Sequence, residues 1–234
     1  MAENKKLLVL CLEGVLQSWG EDSKWDIRDS SDMPTKSGIV GLIACAMGLE
    51  RGDPEIAAMS EAITLAVRED RAGTRLLDFH TVTGEPLLSA NGKPRSSGNT
   101  FISKRQYLQD ASFQVFIDCS DNWRERIVQA LQHPKWCLYL GRKSCVPSRP
   151  VLVGVTEEYA DISQALQKYP IQTKRRCQNK DKRQICRYES EISDAEDATV
   201  SRSDVILADG YRQFTRRRVW RGTVKPANKK SRPK

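Results

Sequence analysis

The chain has 234 residues, a formal net charge of +8 and 39% hydrophobic residues, enough to bury a core in one domain or one domain with an extension. No run of about 18 apolar residues occurs, and the first apolar run is too short for a secretory signal, so no membrane partner is expected. Seven cysteines without a Cys-x-x-Cys pair argue against disulfides and structural zinc and suit a reducing cytoplasm.

The positive charge is concentrated in the last quarter of the chain. Residues 1–170 hold 20 basic and 22 acidic side chains, whereas residues 171–234 hold 18 basic and 8 acidic ones. This distribution predicts a polyanionic partner. The last stretch, 225–234, is better interpreted as a disordered, solvated basic tail.

The first predicted element is a strand over Leu7–Leu12. Its uninterrupted apolar run is typical of a central strand that is covered on both faces. A glycine at position 14 interrupts the apolar pattern, and the polar motif QSWG follows at residues 17–20.

The second predicted element is a helix from about Lys36 to Leu49, which begins with Thr35, Lys36 and Ser37. Backbone N–H groups, hydroxyls and an ammonium meet at such a helix start and suit an anion. We therefore expect Lys36 or Ser37 to contact a phosphate, with simple helix capping as the alternative. Because Lys36 precedes Gly38, the order is not that of a Walker A motif, and an NTPase is not predicted.

Small residues form a stripe along this helix: Gly38, Gly41, Cys45 and Gly48. Each glycine lowers helix propensity by about 1 kcal/mol. Close approach of the helix to a sheet or to a ligand would compensate for that loss.

The remaining elements alternate between helices and strands. In chain order they are a helix over Pro54–Glu61, strands over Ile63–Val67, Arg75–Val82 and Phe113–Ile117, a helix capped by Ser120 or Asp121, strands over Trp136–Leu140 and Val151–Val155, and a helix over Ile162–Tyr169. The order β-α-β, a long insertion, then β-α-β predicts an α+β fold with a ferredoxin-like (RRM-like) βαββαβ core over residues 1–170.

Two further segments have distinct compositions. Residues 83–105 are rich in Gly, Ser, Pro and Asn and contain no acid after Glu85, which predicts a projecting basic arm. Residues 171–224 predict a β-rich extension, in which Arg183–Glu189 and Ala198–Leu207 could pair as strands and Phe214–Val224 combines β-formers with four arginines.

A second phosphate candidate follows the strand predicted over Trp136–Leu140. Gly141 permits an unusual turn, and Arg142, Lys143 and Ser144 then offer hydrogen-bond donors. The alternative is a basic surface turn.

Aromatic residues beside basic or polar ones are candidate platforms for RNA bases, or else core residues: Trp19, Tyr107, Tyr139 and Trp220. Of the two histidines, only His80 could join a general acid/base set for metal-independent RNA cleavage, together with Lys104 and Tyr107. No carboxylate pair, Ser-His-Asp order or metal-ligand cluster stands out, so no cofactor or metal is predicted.

Six motifs in order carry a resemblance to a known family: QSWG, PTKSGIVGLIACAMG, DFHTVTG, YLQDASF, YLGRKSC and RQFTRRRVW. From Leu7 to about Trp220 the chain resembles the CasD family, the fifth-family Cas subunits of the type I-E CRISPR Cascade complex, within the RAMP superfamily. The resemblance implies a ferredoxin-like core, an inserted β-hairpin thumb and a non-catalytic subunit. Such subunits cap the 5′ handle of the CRISPR RNA (crRNA) and contact the large PAM-recognising subunit and the repeated backbone subunit.

The predicted RNA contacts combine the motifs with this resemblance. Phosphates would be held by Lys36, Ser37, Arg142, Lys143 and Ser144 around the Gly141 turn, bases would be separated or stacked by Arg105 and Tyr107, and the pocket wall would be shaped by Gln17 and Trp19. One alternative is a metal-independent repeat endoribonuclease, as in the type I-C relatives. Another is a general RNA-binding or ribosome-associated protein. Target DNA is a further candidate partner of the basic tail.

Overall fold

The computed structural model describes residues 5–21, 23–24, 26–88, 92–94, 100–172, 184–192, 199–207 and 213–226. Its helices and strands confirm the predicted α+β class. The described helices are α1 (Lys36–Met47), α2 (Pro54–Ala62), α3 (Asp121–Gln132) and α4 (Ile162–Lys168). The described strands are β1 (Leu7–Glu13), β2 (Leu16–Gln17), β3 (Ile27–Arg28), β4 (Thr64–Arg71), β5 (Thr74–Thr83), β6 (Thr100–Gln109), β7 (Ser112–Asp118), β8 (Leu152–Thr156), β9 (Cys186–Ser190), β10 (Thr199–Ile206) and β11 (Phe214–Val224).

Seven strands form the larger sheet, in the order β10-β11-β9-β4-β7-β1-β8. Within it, β8, β1, β7 and β4 are antiparallel neighbours. Helices α1 and α2 connect β1 to β4, and α3 lies between β7 and β8 in the chain. The first strand is therefore central, as its apolar run predicts.

Side chains of β1 alternate between two apolar clusters, one on each face of the sheet. Leu8 and Leu10 belong to the larger cluster, which α1 and α3 cover, whereas Leu7 and Val9 face the cluster under α4. The helices begin where capping side chains predict: Ser120 accepts a hydrogen bond at the start of α3.

The C-terminal strands extend the sheet of the core. The prediction that the segments now seen as β9 and β10 pair with each other is wrong, because β11 lies between them. Strand β9 pairs in turn with β4. The sheet therefore continues without interruption from the first strand of the chain to the last.

Ion pairs join this extension to the core and hold its own strands together. Arg187 binds Glu69 of β4 at 2.5 Å, and Arg202 binds Glu189 at 2.6 Å. Arg217 binds Asp204 at 2.6 Å. Several basic residues that the charge distribution predicts for a polyanion are thus engaged within the protein.

Strands β5 and β6 form a long antiparallel hairpin, paired from Thr74 opposite Gln109 to Thr83 opposite Thr100. Short strands β2 and β3 pair with β6 to complete a four-stranded sheet. The basic arm predicted over 83–105 lies at the end of this hairpin, and its residues 89–91 and 95–99 fall outside the described residues.

The strand predicted over Trp136–Leu140 is absent, and the segment between α3 and β8 is irregular. Its backbone groups bind other partners: Lys135 N–H donates to Ala46, and Leu140 N–H donates to Cys145 at 2.7 Å. The basic tail predicted over 225–234 falls outside the described residues from residue 227 onward. Among the helices described, none is both long and apolar enough to cross a membrane.

Candidate nucleic-acid interface

An open groove of about 760 Å³ runs along one side of α1. Four segments that are distant in the sequence form its walls: α1 itself, residues 18–21, the loop from Trp136 to Arg142, and residues 206, 207, 213 and 214 at the facing ends of β10 and β11. The motifs quoted for residues 17–20, 34–48 and 139–145 therefore meet in one place.

The small-residue stripe of α1 faces this groove. A Cβ atom on Gly38 would lie 2.8 Å from the Trp19 ring, so the helix packs closely against that side chain. Among the residues that the structure describes, a Cβ atom on Gly41 would have no neighbour within 4 Å. The stripe thus permits close packing at one point and leaves space for a ligand at the next.

Trp19 lines the groove, and Gln17, which was predicted to shape the wall with it, lies behind the indole. Gln17 is fully buried, and its side-chain N–H groups donate to the carbonyls of Leu12 and Ala111. Its Oε1 accepts a hydrogen bond from Trp19 Nε1 at 3.1 Å. Gln17 therefore positions the indole and has no exposed atom to offer a ligand.

The Gly141 turn closes against residues 18–20. Gly141 has φ +88°, and a Cβ atom there would lie 1.7 Å from the Ser18 carbonyl oxygen. Ser18 N–H donates to the Leu140 carbonyl at 3.1 Å. Only glycine can hold these two backbone segments so close together.

Arg142 joins the turn to β6 and β3. Its Nη1 donates to the Gln106 carbonyl at 3.1 Å, and its Nη2 donates to the carbonyls of Arg28 and Asp29. The guanidinium also stacks 4.7 Å from the centre of the buried Tyr107 ring. Arg142 thus connects the Gly141 turn to β6 and β3. Its guanidinium covers the Tyr107 ring, so this ring offers no exposed surface for stacking on a base.

The start of α1 already holds an anion from the protein itself. Lys36 N–H donates to Asp204 Oδ2 at 2.7 Å, and Thr35 Oγ1 accepts from Gly38 N–H. Lys36 is buried, and its Nζ donates to the Ile63 carbonyl and to Glu191. The predicted phosphate contact by Lys36 is therefore not available in this arrangement, whereas Ser37 is half-buried and lines the groove.

Positive charge reaches the groove from residues that the motifs did not single out. Arg28 and Arg51 line it. Of the two acids in its lining, Glu21 pairs with Arg202 and Asp53 accepts the Glu55 N–H as the cap of α2. Both acids are thus engaged, and the local balance favours an anionic ligand.

Lys143 and Ser144 are exposed at the tip of the Gly141 turn. Burial raises the pKa of the nearby Cys45 thiol, Cys137 adds to this effect, and the positive charge of Lys143 opposes it. Lys143 directly follows Arg142, which lines the groove together with Cys45.

The aromatic lining also differs from the prediction. Trp136 is 42% exposed and lines the groove together with the half-buried Tyr139. The sequence predicts a strand over Trp136–Leu140, because this run is apolar. The same run gives no sign of the irregular backbone that exposes the Trp136 side chain. The exposed indole is the strongest candidate for stacking on a base.

The candidate acid/base set does not converge. Ser103 lies opposite His80 and Phe79 lies opposite Lys104, so the His80 and Lys104 side chains point to opposite faces of the hairpin. Tyr107 shares the face of His80 but lies four residues beyond Ser103, about 13 Å along the strand. Arg105 is half-buried, and its Nε donates to Ser103 Oγ. The described residues also contain no cluster of His, Cys, Asp or Glu that could hold a metal.

Comparisons with known proteins agree with the motifs. A protein-family model described as "CRISPR-associated protein (Cas_Cas5)" matches residues 7–225. The chain is 32% identical over 177 residues to the CRISPR system Cascade subunit CasD of Escherichia coli (strain K12), which covers 70% of this chain and 77% of that protein.

Two solved structures are similar over most of the chain. A chain of a CRISPR RNA-guided surveillance complex matches with a TM-score of 0.75 and 29% identity, over 93% of this chain and 89% of that one. A crystal structure of a Cas protein matches with a TM-score of 0.67 and 30% identity, over 93% and 94% of the two chains. These findings confirm the resemblance that the motifs indicate.

Proposed function

The chain belongs to the CRISPR-associated Cas5 family, and we propose that it is the crRNA-binding subunit of a type I-E CRISPR surveillance complex, in which it caps the 5′ handle of the crRNA. One observation carries this proposal: segments far apart in the sequence form one groove beside α1, lined by small, cationic and aromatic residues. Single-stranded RNA is recognised by this combination of phosphate contacts and stacking.

The proposed contacts come from the lining of the groove and from the exposed tip of the adjoining Gly141 turn. Arg28, Arg51 and Lys143 would hold phosphates, and Ser37 and Ser144 would donate hydrogen bonds. Trp136 would stack on a base that enters the space above Gly41. Lys36, Arg142, Gln17 and Tyr107 would support these residues from behind.

We propose that the core is ferredoxin-like. The antiparallel order β8-β1-β7-β4, with helices in both crossovers, supports this assignment.

The hairpin of β5 and β6 would be the thumb. Its Leu77, Phe79 and Ile102 are exposed and lie on one face, which suits contact with another subunit. The proposed partners are the repeated backbone subunit and the large PAM-recognising subunit. A cytoplasmic location is also proposed, because the described cysteines are free thiols.

The proposed role is non-catalytic, because His80, Lys104 and Tyr107 lie too far apart to act on one phosphodiester. Incubating the chain with repeat RNA in EDTA tests this point. Intact RNA is the expected result. Specific cleavage that disappears in His80→Ala would establish the endoribonuclease instead.

Binding measurements test the proposed function itself. The chain should bind handle RNA more tightly than scrambled RNA of equal length, and the three cationic phosphate contacts named above would give a slope of about −2 for log affinity against log salt concentration. Equal affinity for the two RNAs would indicate a general RNA-binding protein. An affinity that does not depend on salt would contradict phosphate recognition.

Replacing Gly41 by leucine should separate binding from stability. The leucine side chain would enter the groove, so handle-RNA affinity should fall about tenfold or more, while the better helix propensity should raise the free energy of unfolding by up to about 1 kcal/mol. Equilibrium RNA binding and urea denaturation measure the two effects.

Gly41→Ala is the matched control, because its methyl group adds similar helix propensity and fills little of the groove. It should retain RNA affinity close to that of the unmodified chain. Undiminished binding by Gly41→Leu would show that the RNA does not lie beside α1.

A further inference from the structure

We propose that alternate side chains of β11 form a second contact surface for single-stranded RNA, which continues from the groove. We call this surface the β11 stripe and define it as Phe214, Arg216, Arg218 and Trp220. The inference rests on the proposed function, because the RNA that reaches the stripe is the one that the groove holds.

The alternation of β11 gives its arginines two different roles. Arg217 is half-buried, binds both carboxylate oxygens of Asp204 and lies 3.4 Å from Glu191. Arg216 and Arg218 flank it and are exposed on the other face of the strand. The ion pairs of Arg217 within the extension therefore leave the guanidinium groups of Arg216 and Arg218 directed at solvent.

On the neighbouring strand β10, exposed and buried side chains alternate between the two faces in the same way. Ser203 lies opposite Arg216 and Ser201 lies opposite Arg218, and both serines are exposed. The acid of this strand, Asp204, is buried and points to the other face with Arg217. On β10 and β11, as far as the structure describes their side chains, the outer face thus offers hydroxyl and guanidinium donors without a carboxylate.

The spacing suits an extended nucleic-acid strand. Residues two apart on a strand are separated by about 7 Å, which is comparable to the distance between successive phosphates of an extended chain. Aromatic residues lie at both ends of the stripe: Phe214 is 44% exposed, and Trp220 is half-buried. Guanidinium groups between aromatic rings are the combination that single-stranded nucleic acids bind without sequence preference.

Phe214 links the stripe to the groove, because it begins β11 and also lines the groove. Arg217 and Asp204 share the face of α1. A strand that leaves the groove would therefore pass around the Phe214 end of β11 and then meet Arg216 and Arg218 on the other face. This continuity favours RNA over a separate protein partner as the occupant, since the same chain could extend from one surface to the other.

The test compares RNAs of two lengths on the full chain. An RNA of about 6 nucleotides would occupy the groove, and RNAs of about 14 nucleotides, extended at either the 5′ or the 3′ end, would also reach the stripe. In Arg216→Gln/Arg218→Gln, one of the extended RNAs should bind about tenfold more weakly, and its salt slope should become shallower by about 1.4. The short RNA should bind as it does to the unmodified chain.

The control is Lys5→Gln/Lys6→Gln, which removes the same charge at the start of β1, four strands away from β11 in the sheet. This control variant should bind the short RNA and the two extended RNAs with the same affinity as the unmodified chain. Equal binding of both extended RNAs by the stripe variant and the unmodified chain would overturn the inference, as would a loss confined to single-stranded DNA of the same sequence. Failure of the short RNA to bind the unmodified chain would instead refute the proposed function.

Discussion

Gly141→Ala is expected to lower the free energy of unfolding by about 3 kcal/mol or more and to abolish handle-RNA binding. The new methyl group would lie 1.7 Å from the Ser18 carbonyl oxygen, and this neighbour is backbone that cannot rotate away. Relief requires the turn and residues 18–20 to separate. Because both line the groove, separation would open its wall. Urea denaturation and RNA binding on the same preparation measure the two losses.

Gly92→Ala is the matched control for this prediction. Gly92 also has a positive φ, +76°, but a Cβ atom there would have no neighbour within 4 Å in the part of the chain that the structure describes. Its substitution should therefore cost only the conformational penalty, about 1 kcal/mol. The difference between the two variants measures the contact with Ser18. A Gly141→Ala protein as stable as Gly92→Ala would contradict the close approach.

Arg68→Met should destabilise the fold by about 3–5 kcal/mol at neutral pH. Arg68 has no exposed surface, and its guanidinium binds both oxygens of Asp70, with Nε donating at 2.6 Å. It also donates to the carbonyls of Leu166 and Tyr169, which fixes the end of α4 against the sheet. Methionine fills similar space but leaves a buried carboxylate without its partner.

The destabilisation caused by Arg68→Met should become smaller as the pH falls. Burial raises the pKa of the Asp70 carboxyl above its usual range, and Arg68 opposes this effect. Without Arg68 the pKa rises further, so the folded variant takes up a proton at a higher pH than the unfolded chain does. The stability difference from the unmodified protein should therefore shrink as pH falls through this raised pKa toward about 3.9.

The double variant Arg68→Met/Asp70→Asn separates charge from packing. It has no buried carboxylate at this position, so its own free energy of unfolding should lack the pH dependence that Asp70 causes in Arg68→Met. At neutral pH it should be more stable than Arg68→Met. Denaturant titrations at several pH values give these quantities. A loss in Arg68→Met that stays constant with pH would show that the destabilisation comes from lost packing alone.

Local rules explain why most helices and strands could be predicted from the sequence. The apolar run of β1, the capping residues Thr35, Ser120 and Asp161, and the alternation of β7 depend on residues close in the chain, and each element appears where its pattern indicates. The strand expected over Trp136–Leu140 is absent: Leu140 N–H donates to Cys145 within the same loop, and the Leu140 carbonyl accepts from Ser18, which is far away in the sequence.

The candidate site was predicted in position but only partly in its chemistry. The QSWG motif, the glycine-rich helix and the Gly141 turn do meet, yet the role of Lys36 depends on Asp204, which is 168 residues away and occupies the helix start. Likewise, the separation of His80 from Lys104 depends on the register between β5 and β6. Arg28 and Arg51 carry no local signal and are recognised only from the assembled groove.

The central claim is that the groove beside α1 holds the end of an RNA. Photo-crosslinking of handle RNA containing 4-thiouridine, followed by mass spectrometry of the linked peptides, tests it most directly. The account predicts crosslinks within residues 18–28, 35–53 and 136–144, and their loss in Gly41→Leu. Crosslinks confined to the hairpin of β5 and β6 or to residues 225–234 would contradict it.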